Sequence, residues 1–101
     1  MTTYLTSTRG VGPDRYPEHA TPEDAFAAAI RSGCLYRAPG ATRYCAADLT
    51  NPESDPVVLM DRQLGWGDAG QTAYVYVEGA CRKHANAMLR RIARHRAEAT
   101  R

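Results

Sequence analysis

At 101 residues, 44% hydrophobic and with a formal net charge of +2, the chain has room for one domain, and without a run of about 18 apolar residues no helical membrane span is expected. The charge is divided: Arg82 to Arg101 hold seven Arg or Lys and one Glu, a net +6, whereas the preceding 81 residues carry six Arg against ten Asp or Glu, a net −4. Three cysteines, an odd number, fit poorly with a disulfide framework, and with no charged start leading into an apolar stretch the expected compartment is cytoplasmic.

Residues 1–20, MTTYLTSTRGVGPDRYPEHA, contain two prolines, two glycines and four threonines without an apolar period. They read as a flexible N-terminal arm, leaving 21–101 as a single small domain of a size that metals or partners often help to stabilise. The first firm element is TPEDAFAAAIRSG, residues 21–33. Thr21 suits an N-cap, Pro22 the first helical position, and Glu23 and Asp24 the positive end of the dipole. Ala25, Phe26, Ala29 and Ile30 share one face, and Gly33 is expected as a left-handed C-cap.

In CLYRAPGATRYC, residues 34–45, Ala38-Pro39-Gly40-Ala41 reads as a turn. A hairpin with an even loop centred on Pro39-Gly40 would set Cys34 opposite Cys45, with Cβ atoms about 5 Å apart. The acidic stretch DLTNPESDP at 48–56 is expected as a surface loop. PVVLMD reads as a short strand, GWGDAGQ as a glycine-rich turn carrying Trp66, and TAYVYVEG as a second strand with Ala73, Val75 and Val77 on one face and Tyr74 and Tyr76 on the other. A helix is expected from about Ala80 to Ala99, with an apolar stripe of Ala85, Met88, Leu89 and Ile92 that Cys81 and His84 continue. The expected fold class is therefore α+β: an N-terminal helix, two β-hairpins and a long C-terminal helix in a small zinc-stapled domain.

Cys34, Cys45, Cys81 and His84 make a Cys3His set. Four such ligands satisfy a tetrahedral Zn2+, and a closed set is structural rather than catalytic. Cys81 and His84, three apart on a helix, would project side by side, and the free N–H groups of the first turn would favour a thiolate. The alternatives are buried free thiols, a Cys34–Cys45 disulfide, or His95 or His19 as the fourth ligand. Arg82, Lys83, Arg90, Arg91, Arg94 and Arg96 form a basic helix that could meet phosphates or simply be a solvated face set against the dipole's negative end. Tyr36, Tyr44, Tyr74 and Tyr76 could stack bases or cover a sheet. Trp66 is either an interface anchor or folded back onto the core. No nucleophile–base set, phosphate-cradling loop or His-Glu-x-x-His is present, so no enzymatic activity and no small-molecule substrate are expected.

The segment TPEDAFAAAIRSG resembles a helical stretch that recurs near the start of short proteins from actinobacteria and their phages. The pattern of Cys34, Cys45, Cys81 and His84 is similar to small treble-clef or zinc-ribbon-type proteins, which place a CxxC or CxxH at the start of a closing helix. Here the first pair is C-x10-C rather than two cysteines separated by two residues. The resemblance implies an accessory protein of phage or mobile-element type. The expected function is that of a non-catalytic zinc-stapled binding protein, monomer or homodimer, contacting nucleic acid or the machinery that handles it; the alternative is a protein-binding modulator of a host enzyme or defence component.

Overall fold

The computed structural model describes residues 2–10, 12–67 and 70–99, those at 13, 67 and 95–99 by their backbone alone. Four strands and two helices follow one another as β1 (Thr2–Thr6), β2 (Glu18–His19), α1 (Pro22–Ser32), β3 (Pro56–Gly67), β4 (Gly70–Cys81) and α2 (Arg82–Ala99). The fold is α+β with one mixed sheet in the order β2-β1-β4-β3. β1 runs parallel to β4, from Thr2 opposite Ala73 to Thr6 opposite Val77, while β2 and β3 pair antiparallel with their neighbours.

The expected loose arm is therefore wrong: residues 2–19 supply two strands, and α1 does not open the fold. TTYLT has the β-branched and aromatic content that suits a pleated surface. Its partner lies some seventy positions away, a pairing that local periodicity cannot display. The hydroxyl of Thr6, itself buried, donates to the Ala25 carbonyl at 3.5 Å, so a polar side chain is accommodated in the core.

In α1 the Thr21 hydroxyl accepts from the Asp24 N–H at 3.3 Å, and Pro22 occupies the first turn. Gly33 ends the helix at φ 84° and ψ −178°, a region essentially open to glycine only and not the left-handed helical cap expected. Ala25 and Ala29 are fully buried against Val75 and Val77, with Tyr4, Phe26 and Val58 around them. Small side chains on this face let the helix lie close to the sheet. Gly79 is the tightest point: a Cβ there would stand 2.7 Å from the Ala29 carbonyl oxygen and 2.7 Å from Leu49 Cδ1.

Of the two expected hairpins, one forms. β3 and β4 pair residue for residue from Pro56–Cys81 to Gly67–Gly70, so the glycines around Trp66 belong to a strand rather than to a wide turn. Residues 34–45 form no strand. They hold a turn with the Ala41 N–H on the Ala38 carbonyl at 3.0 Å, and one cross-bond from the Cys45 N–H to the Tyr36 carbonyl at 2.8 Å. The Leu35 N–H donates instead to the Gly79 carbonyl at 3.1 Å, beyond the end of β1. That bond draws the segment onto β4 and away from a symmetric self-pairing.

A second core gathers at this end of the sheet: Cys34, Leu35, Leu49, Leu59, Ala80, Cys81, Ala85 and Met88 are all buried in it. The α2 stripe is narrower than expected, since Leu89 is exposed. Among the described residues no helix is long and apolar enough to cross a membrane.

Candidate metal centre

Three pieces of chain converge where β4 passes into α2. Cys81 is the last residue of β4 rather than the start of a helical turn, and His84 lies in the first turn of α2. Cys34 follows directly on the Gly33 cap, and Cys45 is returned to it by the bond to Tyr36. All three cysteines are free, with no disulfide between Cys34 and Cys45.

One ligand atom from each of Cys34, Cys45, Cys81 and His84 lies within 4.8 Å of every other. The Cys81 thiol is 3.2 Å from His84 Nδ1, the Cys34 thiol 3.9 Å from the same nitrogen, and the Cys45 and Cys81 sulfurs are 3.9 Å apart. Cys34 and Cys81 are buried, Cys45 and His84 half-buried. The group is compatible with a metal site enclosed on its protein side. His19 sits on β2 and is not part of the group; its buried Nε2 has no hydrogen-bond partner among the described residues. The side chain of His95 lies outside the described residues.

The electrostatics of the thiols differ. Burial pushes Cys34 up to about 11, against hydrogen bonds from the Cys81 and Tyr36 backbone that lower it. At Cys45 burial also opposes the charge, but a backbone hydrogen bond at Ala47, the Cys34 and Cys81 thiols and the Arg9 guanidinium together bring it below the ordinary thiol value. The cluster thus holds a proton at its interior corner and favours a thiolate at its outer one. A bound cation would displace the remaining protons, because thiolates and not thiols are ligands.

Residues outside the four position them. Arg9 Nη2 donates to the Cys34 carbonyl at 2.9 Å and to the Cys45 carbonyl at 2.7 Å, so one guanidinium ties both ligand-bearing arms of the loop. The Tyr36 ring stacks on His84 with centroids 4.0 Å apart and planes 14° from parallel, which restrains the imidazole plane, and Nδ1 faces the Cys34 and Cys81 sulfurs. Tyr44 lies beneath Arg9 and Arg37, at 5.5 and 5.4 Å from ring centroid to guanidinium carbon. Arg9 has no signature in the sequence, being a single basic residue in a polar stretch. For Tyr36 the one available signal is its place two residues after Cys34.

The basic residues divide by setting. Arg82 pairs with Asp55 at 3.1 Å, both largely exposed, a contact of little energetic consequence. Arg91 pairs with Glu78 at 3.4 Å, and burial raises the Glu78 carboxyl above its usual range, with Arg91 opposing the shift and Asp61 adding to it. Arg90, Arg91 and Arg94 line an open cleft of about 240 Å³ together with Tyr36 and Arg37 from the loop, floored by Pro39, Ala87 and Met88. Lys83 is exposed, and the side chain of Arg96 lies outside the described residues. Trp66 stands on β3 almost fully exposed rather than folded onto the core. No protein-family model matches the chain, nor does any curated protein or solved structure.

Proposed function

We propose that the protein is a zinc-stapled, non-catalytic module that binds nucleic acid through the arginine cleft beside its metal site. A tetrahedral Zn2+ with bonds of about 2.3 Å to sulfur and 2.0–2.1 Å to nitrogen has ligand–ligand edges of about 3.8 Å for S···S and 3.6 Å for S···N. The separations of 3.9, 3.2 and 3.9 Å approach those edges. Three thiolates and an imidazole suit zinc far better than a hard cation. Four protein ligands leave no open position for a bound water, which argues for a structural ion rather than Lewis-acid chemistry.

The observation that carries the binding role is the meeting of Arg37 with Arg90, Arg91 and Arg94 around one cleft with Tyr36 and without a carboxylate in its lining. Arg37 is fifty-odd positions from the others, and the staple would bring it to them. Guanidinium groups bind phosphates bidentately, and a flanking aromatic offers a stacking surface for an unpaired base. The zinc would then act at one remove, holding the loop against α2 so that the four cations converge.

The test is fluorescence anisotropy of labelled single- and double-stranded oligonucleotides over a series of salt concentrations. Binding that weakens steeply with salt is expected. The slope should become shallower by about 0.7–0.9 for each phosphate left unneutralised when Arg90 and Arg94 are replaced by Ala. Absence of binding at low ionic strength to any of the oligonucleotides would overturn the reading.

A further inference from the structure

Among the described residues, three of the four exposed large apolar side chains stand on β3: Met60 at 51%, Leu64 at 60% and Trp66 at 82% exposure. At even positions of one strand they share a face, with Arg62 between Met60 and Leu64. It is the face that α1 covers further in, since Met60 lies opposite Val77 and Leu64 opposite Ala73, both of which are buried. The α1 packing centres on Val75, Val77 and Tyr4 and reaches β3 at Val58, short of the exposed Met60. The stripe is thus an uncovered continuation of a core face.

β3 is also an edge, with β4 on one side and, among the described residues, no strand on the other. Natural edges are blunted by prolines, bulges, charged side chains or shortness. This one is twelve residues long and unbulged throughout its pairing, with its sole proline at the first position and with charge only at Asp61 and Arg62. We propose that β3 is a self-association edge: two copies pair antiparallel through it about a two-fold axis perpendicular to the sheet, giving one eight-stranded sheet with a shared apolar stripe.

The second copy is favoured over other occupants because the strand is complementary to itself in one register. A two-fold of this kind keeps like faces together, so paired positions share parity. Centred on Arg62, it would set two arginines opposite each other, which is unfavourable. Centred on Leu64, it would leave Met60 opposite position 68, beyond the strand. Centred on Gln63, Trp66 meets the partner's Met60, a sulfur–aromatic contact. In the same register Leu64 meets the alkyl stem of the partner's Arg62, and Gln63 meets its own copy, where an amide can both donate and accept. Every exposed side chain of the stripe is used twice. A tryptophan alone buries about 150–250 Å², so two sets of Trp, Leu and Met plus the backbone ladder reach the roughly 1,000 Å² of a specific interface. Glu78 and its Arg91 partner lie on the other face of the sheet, and the pairing leaves both arginine clefts open.

Sedimentation equilibrium of the full chain from low micromolar to near-millimolar concentration tests this, with the fluorescence of the single tryptophan as a parallel readout. The expected result is a mass that moves from one chain to two, with Trp66 emission shifting to the blue as it does so. Trp66→Ser, an exposed change that leaves the monomer folded by circular dichroism, raises the dissociation constant at least about thirtyfold. Gln63→Cys gives an intermolecular disulfide under mild oxidation and Leu64→Cys does not, with the wild type as control for the native thiols. A chain that stays monomeric throughout overturns the proposal, including the case in which the edge captures another protein's extended peptide. A dimer that ignores Trp66→Ser, or whose cross-linking does not follow position 63, overturns it equally.

Discussion

The two ends of the β3–β4 hairpin are held together by opposite means. At the Gly67–Gly70 end the backbone is regular, with an unbroken antiparallel register, yet Leu64 and Trp66 stand in solvent. At the Pro56–Cys81 end the neighbouring chain, residues 33 to 49, has almost no regular structure, yet Cys34, Leu35 and Leu49 are buried within it. Regularity and burial are separate properties. A ladder satisfies backbone groups wherever it forms, whereas an irregular loop must be tied by side chains, here Arg9, Tyr36 and the four candidate ligands.

The difference between the two ends should show most plainly when the metal is removed. Native mass spectrometry of the protein is expected to show one zinc, lost in Cys81→Ala or on chelation. With free zinc a thousandfold above its dissociation constant the bound ion contributes about 4 kcal/mol, so the variant's Tm should fall by roughly 15–30 °C. Hydrogen exchange should then lose protection at the Leu35 and Cys45 amides first, with the ladder near Gly67 and Gly70 unaffected until global unfolding. Uniform loss of protection at both ends would mean that ladder and loop are held as one unit.

A smaller effect is expected at Arg9. Arg9→Ala removes both donors to the Cys34 and Cys45 carbonyls while leaving every ligand in place. Outer partners of this kind are worth about 10–100-fold in metal affinity, which competition against a chromophoric chelator would measure. Arg9→Lys should recover only part of this, because an ammonium lacks the planar fork. Unchanged affinity in Arg9→Ala would mean that the loop is held by its core packing alone.

The least effect is expected at Glu78, on the sheet between the two ends. Its carboxyl is raised by burial above the ordinary range, so the folded state keeps its proton to higher pH than the unfolded chain does. Stability from this group therefore grows as pH falls through the raised folded value towards the usual carboxylate one, and is absent above it. Glu78→Gln should flatten that slope in urea titrations of the zinc-saturated protein, without changing zinc content. A slope that persists in the variant would assign it to other groups.

Much of the local structure is legible in the sequence. α1 can be read from Thr21, Pro22 and its apolar face, because capping and amphipathic spacing act within a few residues. The alternation of Ala73, Val75 and Val77 with Tyr74 and Tyr76 announces β4 for the same reason. The four candidate ligands can be named from residue type, although Cys34 and Cys45 are not joined by the symmetric hairpin that their spacing suggests. β1 escapes such reading because Thr2–Thr6 finds its partner only across the whole chain, in parallel with β4.

By itself the sequence determined the Thr21 cap of α1, the period of β4, the charge division at Cys81 and the identity of a Cys3His set, all of which depend on short-range chemistry. Tertiary structure alone decided that β1 enters the sheet, that Leu35 pairs with Gly79, that Arg9 and Tyr36 serve the ligand cluster, that Arg37 joins the helix arginines, and that Trp66 is left bare. Each of these rests on contacts between residues far apart in the chain, where the outcome is set by which surfaces the folded backbone brings together.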